Sequence, residues 1–131
     1  VVLHRGHQDS AARILDIFPG FHGAEPLGLA IDLGSTTIAA HLCSLTDGRV
    51  LASAGVMNPQ IRFGEDLMSR VSYAMMNPGG DVEMTTAVRQ AIDGLIGAVA
   101  AEAGVAGAAI YEIVFVMNPV MHHLLLGIDP V

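Results

Sequence analysis

The run Gly28-Leu29-Ala30-Ile31-Asp32-Leu33-Gly34-Ser35-Thr36-Thr37-Ile38 constrains this chain more than any other stretch. An apolar segment carries one carboxylate, breaks at a glycine followed by three hydroxyl residues, and resumes. A short continuous apolar run bounded by turn residues reads as a buried strand. Asp32 then stands near the carboxyl end of that strand. Gly34 can adopt backbone angles that a Cβ resists, so the chain can reverse there. Ser35, Thr36 and Thr37 place hydroxyls beside exposed backbone N–H groups. A concave set of such donors suits phosphate oxygens, and a nucleotide-bound magnesium ion takes a nearby carboxylate, often through water. The same pattern also makes an ordinary hairpin whose hydroxyls cap the turn, so the residues alone leave both readings open. A Walker loop is excluded, because the chain has no lysine, and no G-x-G-x-x-G opens a helix.

The 131 residues suffice for one domain with its own core. With 52 % hydrophobic but only 5 % aromatic residues, that core must be aliphatic. Six arginines against 13 acidic residues give a net charge of −7, which repels phosphate backbones and argues against nucleic-acid binding. A nucleotide is compatible with it, since local donors and Mg²⁺ override the global field. One cysteine, Cys43, excludes an internal disulfide and a self-contained iron–sulfur site; in its apolar strand it reads as a buried small hydrophobe. No apolar run reaches the length of a membrane span, and no signal peptide is recognisable, so a reducing cytoplasm is the expected location and no membrane partner is expected. A start at Val1 rather than methionine suggests a piece of something longer.

Along the chain, residues 1–26 read as a connector, with a strand tail at Val1–Leu3, a polar loop at His4–Asp9, a short apolar stretch at Ala12–Phe18 and turn signals at Pro19-Gly20 and Glu25–Gly28. Leu27–Leu33, Thr37–Leu45 and Val50–Val56 are three strands, the last two joined through Thr46-Asp47-Gly48-Arg49 with Asp-Gly supplying positive φ. Together they make an antiparallel meander. After the loop Met57–Gln60, Phe63–Met76 is helical, with Leu67, Val71, Ala74 and Met75 at helical spacing. Glu83–Ala103 is a longer helix with a stripe of Val88, Ile92, Leu95, Ile96 and Val99 and a cap at Gly104. Gly94 and Gly97 within it are costly and are expected to permit close packing on the sheet. Ala109–Val116 is a fourth strand. Asn118 caps a short helix that has Pro119 at its first position and ends at Gly127. The predicted order is β-β-β-α-α-β-α, an α/β domain with helices packed on a sheet, and no internal repeat is present.

The Asp32–Thr37 hairpin with the meander resembles the first phosphate motif of the acetate and sugar kinase, heat-shock chaperone and actin superfamily. A closer resemblance rests on four ordered blocks: Gly28–Thr37, Asn58-Pro59-Gln60, Gly64-Glu65-Asp66-Leu67-Met68-Ser69-Arg70, and Met121-His122-His123-Leu124-Leu125-Leu126-Gly127. Together these are similar to the reductive activators of corrinoid proteins, over roughly residues 27–130. The resemblance implies a ribonuclease H-like half of an actin-like ATPase domain over residues 27–131, with a mixed sheet. It implies ATP and Mg²⁺ as ligands and a 2Fe–2S ferredoxin domain in the parent protein, outside this chain. It further implies a corrinoid methyl-carrier protein as partner, whose cob(II)alamin is returned to cob(I)alamin. The chain departs from the family in several ways: Ser35 stands where threonine is often found, which keeps the hydroxyl; Met117 stands where glycine is usual before Asn118, which puts close backbone approach at that turn in question; and the ferredoxin cysteines and the second half of the ATPase fold are missing, so the chain would form one wall of a nucleotide cleft. Apolar surface left uncovered on that side makes a homodimer an expectation.

Carried onto this sequence, the resemblance gives Asp32 the role of ordering a Mg²⁺-bound or attacking water near the γ-phosphate, against the plainer role of capping the turn. Gly34, Ser35, Thr36 and Thr37 would cradle phosphate as a unit. Asn118 either faces an anion at a helix N-terminus or serves as a plain N-cap. Asp66 and Arg70, spaced i,i+4, form either a surface ion pair or a structural or interface element. Asn58-Pro59-Gln60 lines the cleft or is a loop fixed by proline. His122 and His123 diverge on a helix, so no histidine metal site is expected, and the seven methionines read as core filler. Besides an ATP-dependent activator, a small-molecule kinase of the same superfamily and a docking module without turnover fit the sequence. The isolated chain is expected to hydrolyse ATP negligibly.

Overall fold

Alternation along the Leu27–Leu33 run sets how the sheet is built. In the computed structural model, which describes residues 2–4, 11–21 and 23–131, this run is strand β3; β1 (Val2–His4) and β2 (Arg13–Asp16) precede it as a separate antiparallel pair. Of the polar loop expected at His4–Asp9, His4 belongs to β1 and the rest lies outside the described residues. Leu27, Leu29, Ile31 and Leu33 are buried, whereas Ala30 and Asp32 are exposed on the opposite side. Side chains alternate across a strand, so one sheet face is core and the other is open.

Strand β4 (Thr37–Ser44) pairs antiparallel with β3, and β5 (Val50–Met57) pairs antiparallel with β4. Strand β6 (Ile110–Met117) returns parallel to β3 on its other side, giving the order β5-β4-β3-β6. This is the mixed α/β arrangement, with the predicted element order from β3 onward. Between β5 and β6 lie a 3₁₀ segment (Pro59–Phe63), α1 (Leu67–Met76) and α2 (Gly80–Ala103); α3 (Pro119–Leu126) follows β6. Helix α2 buries Met84, Val88, Ile92, Leu95 and Val99 in one core with the β3 residues, Ile38, Ala40 and Leu42 of β4, and Met121 and Leu124 of α3. Burying each such aliphatic side chain contributes about 1.5–3 kcal/mol.

Several expectations are corrected. The helix expected from Phe63 starts at Leu67, because Asp66 caps it in an extended conformation and Phe63 belongs to the 3₁₀ segment. Of the Asp47-Gly48 turn only Gly48 has positive φ (77°). A Cβ on Gly94 or Gly97 would meet nothing within 4 Å, so these glycines do not serve close packing. The methionines are not uniformly core: Met84 and Met121 are buried, but Met57, Met68, Met75 and Met76 are exposed. Cys43 is half-buried rather than buried, since its position on β4 points it to the open face shared with Ala30 and Asp32. Among the described residues, no helix is long and apolar enough to cross a membrane.

Candidate functional site

Three residues link the end of β3 to the start of β4, and every carbonyl from Gly34 to Thr36 is held. The Asn58 side-chain Nδ2 donates to Gly34 O at 2.9 Å, and the Asn58 backbone N–H donates to Thr36 O at 2.8 Å. The Arg70 Nη2 donates to Ser35 O at 2.6 Å. Gly34 N–H donates to Thr37 O at 3.0 Å, closing the turn. A trans peptide sets its N–H opposite its C=O. Tying down the carbonyls of Gly34 and Ser35 therefore turns the N–H groups of Ser35 and Thr36 to the other side. No acceptor among the described residues takes either of these donors. Asp32, two residues before Gly34 and exposed, stands at the β3 end of the same turn. An exposed carboxylate and two unbonded amide donors on one turn are the kinds of group that a magnesium-bound phosphate can take.

Gly34 is needed here for a different reason from the one expected. It is not among the glycines with positive φ. A Cβ at this position would instead lie 2.6 Å from the carbonyl oxygen of Thr37, inside the turn. The requirement is close approach of two backbone segments, not a left-handed conformation.

The anchors behind the loop come from two of the sequence blocks whose roles were open. Asn58 is 1 % exposed and Gln60 is 0 % exposed. The Asn58 Oδ1 accepts from Gln60 N–H at 2.9 Å, capping the 3₁₀ segment, while Gln60 Nε2 donates to Met84 O of α2 at 3.0 Å. Asn58-Pro59-Gln60 is thus the clamp between the turn and the core. Asp66 and Arg70 are not a surface ion pair. Arg70 is fully buried (0 % exposed), and its Nε donates to Gly64 O at 2.9 Å while Nη1 approaches the Met121 sulfur at 3.7 Å. Asp66 instead spends both oxygens on Ser69, on its N–H at 2.8 Å and on its hydroxyl at 3.0 Å. Those bonds, the Ser69 N–H first, hold the Asp66 carboxyl below its ordinary value. Burial pushes the Arg70 guanidinium down from its ordinary value, against the opposing pull of the Asp66 charge. Helical spacing suggested the wrong pair because the Arg70 partners lie up to 51 residues away in sequence.

Asn118 is the N-cap of α3, its Oδ1 accepting from Met121 N–H at 2.9 Å. The adjacent imidazoles of His122 and His123 on α3 have ring centres 6.1 Å apart, tilted by 50°. Among the described residues, no group of three or more His, Cys, Asp or Glu side chains is placed to hold a metal ion.

A four-stranded mixed sheet packed with helices, with an exposed carboxylate and a pinned Gly-Ser-Thr-Thr turn at the end of interior strand β3, makes this an α/β domain. The chain belongs to the family described as the RACo middle region, whose pattern matches residues 27–131. It is similar to the corrinoid activation enzyme RamQ of Eubacterium limosum, at 32 % identity over 122 residues that cover 92 % of this chain and 21 % of that protein. It is also similar to a solved structure described as a reductive activator for corrinoid, iron-sulfur protein. That match has 40 % identity and a TM-score of 0.81, over 85 % of this chain and 18 % of the other. The chain therefore spans about a fifth of the length of the relatives it matches.

Proposed function

We propose that this chain is the phosphate-binding wall of the nucleotide cleft in an ATP-dependent reductive activator of corrinoid proteins. The observation that carries the reading is the 34–37 turn, its carbonyls tied from behind and its Ser35 and Thr36 N–H groups left for an acceptor. The likeness to corrinoid activators supports the wider context. In the proposed arrangement the ribonuclease H-like sheet is the first half of an actin-like ATPase domain, and the other wall of the cleft comes from further residues of such an activator.

The residues present fit the nucleotide. Ser35 and Thr36 would donate backbone N–H groups to phosphate oxygens, with the hydroxyls of Ser35, Thr36 and Thr37 beside them. Asp32 would hold a water of the Mg²⁺ shell and orient it toward the terminal phosphate. When bound, Mg²⁺ supplies neutralisation of the charge that develops on the phosphates. Asn58, Gln60 and Arg70 keep the donors fixed, so that the turn does not reorganise as phosphate arrives. Asn118 contributes by capping α3, and through it the placement of Met121 beside Arg70 and Asn58.

The electron itself would come from a 2Fe–2S cluster elsewhere in such an activator, since the single Cys43 cannot ligate one. One electron passes to the cob(II)alamin cobalt of the partner methyl carrier and gives cob(I)alamin, in a reducing cytoplasmic setting. The test is to mix a full-length activator containing this segment with a corrinoid partner and a competent reductant. Addition of MgATP is expected to raise the cob(I)alamin absorbance. No ATP-dependent rise would refute the reading.

A further inference from the structure

We propose that Arg70 is a positioning residue, a buried cation in ion-pair contact with no carboxylate among the described residues, that biases the 34–37 turn toward polyphosphate. The inference rests on the phosphate-binding reading of the turn and adds to it the source of the turn's charge preference. Arg70 is completely excluded from solvent. Its partners are the carbonyl oxygens of Gly64 and Ser35 and the Met121 sulfur. No carboxylate among the described residues lies within ion-pair distance, and the nearest in sequence, Asp66, is committed to Ser69.

Such an arrangement is unusual, because a charge removed from water is ordinarily paired. Among the described residues, no carboxylate is placed against Arg70, which is fully buried. A structural pin on two carbonyls needs donors, not a full charge; an amide would serve at less desolvation cost, as Asn58 does on Gly34 O. What the guanidinium adds is a permanent positive charge, because arginine does not deprotonate in proteins. That charge sits directly on the Ser35–Thr36 peptide. Its hydrogen bond to Ser35 O withdraws electron density from the peptide and strengthens the Thr36 N–H as a donor on the opposite side. The free pole of the device is thus the Thr36 N–H, and its natural complement is an anion of high charge density in front of the turn. In a molecule of net charge −7, a local cation behind the donors is what separates this turn from the surrounding repulsive field.

The experiment uses the full 131-residue chain, labelled for amide NMR and titrated with magnesium tripolyphosphate and, separately, with orthophosphate. The wild type is expected to show saturable shifts at the Ser35 and Thr36 amides, with tripolyphosphate bound more tightly. Arg70→Met is expected to lose about tenfold or more in tripolyphosphate affinity and clearly less in orthophosphate affinity, as a charge interaction at short range requires. Arg70→Lys, which keeps the charge but not the planar fork, is expected to restore most of that loss. Asn58→Ala, which loosens the turn without changing its charge, is expected to weaken both probes alike. Arg70→Gln carries the same comparison should the methionine variant fail to fold. Should neither fold, equal wild-type affinity for the two probes would overturn the inference. An Arg70→Met variant that binds as the wild type does, or one that loses both probes equally and is not helped by lysine, would overturn this inference while leaving the phosphate reading intact. No amide shift at the turn with either probe would overturn both.

Discussion

Replacing Asn58 by alanine tests the clamp most sharply, because one side chain serves two buried ends. Its Oδ1 caps the 3₁₀ segment through Gln60 N–H at 2.9 Å, and its Nδ2 holds Gly34 O at 2.9 Å and reaches Gln60 Oε1 at 3.3 Å. Loss of an N-cap of this kind costs about 1 kcal/mol. Leaving the Gly34 carbonyl, part of a half-buried site, without its donor costs about 1–3 kcal/mol. The Asn58 backbone N–H to Thr36 O survives the substitution, so the turn is loosened rather than released. The expected destabilisation is about 3 kcal/mol, within the range for breaking a buried polar network. With a urea slope of about 1.5 kcal/mol per molar for a domain of this size, the unfolding midpoint falls by about 2 M. Amide hydrogen exchange at Gly34, whose N–H closes the turn on Thr37 O, should accelerate. A midpoint shift under about 0.5 M with unchanged exchange at the turn would refute the argument that Asn58 holds it.

Three further outcomes are expected. Asp32→Asn should leave the unfolding free energy within about 0.5 kcal/mol of wild type, as at exposed positions generally, while abolishing ATP-dependent cobalt reduction by a full-length activator; retained activity would remove Asp32 from the site. Gly94→Ala and Gly97→Ala should each stabilise α2 by about 1 kcal/mol, since their Cβ atoms enter open space; a loss of stability would show packing at those positions. Asp66 has a carboxyl value lower in the folded chain than in the unfolded one, so its contribution is present above the ordinary carboxylate value near pH 4 and disappears as pH falls through the lower folded value. Asp66→Ala should therefore flatten that part of the acid unfolding profile, and an unchanged profile would count against the cap.

The strands were legible because their signal is local. A short continuous apolar run and the Gly-Ser-Thr-Thr break mark β3, its turn and β4 without outside information, while the exposure of Asp32, on the side of Ala30 rather than of Ile31, emerges from the structure. The candidate turn was therefore readable at the level of which residues form it. What sequence could not show was how the turn is held. Arg70 sits four residues after Asp66, and helical spacing makes that neighbour the obvious partner. The carboxylate was instead consumed by capping α1, and the guanidinium turned inward to Ser35. Asn58 reads as a loop residue beside a proline, yet it is buried because its donor meets Gly34, 24 residues earlier. Gly34 illustrates the same limit: its presence was legible, but whether it answers a φ value or a contact depends on the position of Thr37 O.

The most direct measurement is the structure of a full-length activator containing this segment, bound to Mg²⁺ and a non-hydrolysable ATP analogue. The account predicts phosphate oxygens within hydrogen-bonding distance of the Ser35 and Thr36 N–H groups, with a magnesium-bound water on the Asp32 carboxylate. A nucleotide seated elsewhere, with the 34–37 turn facing bulk solvent, would contradict it.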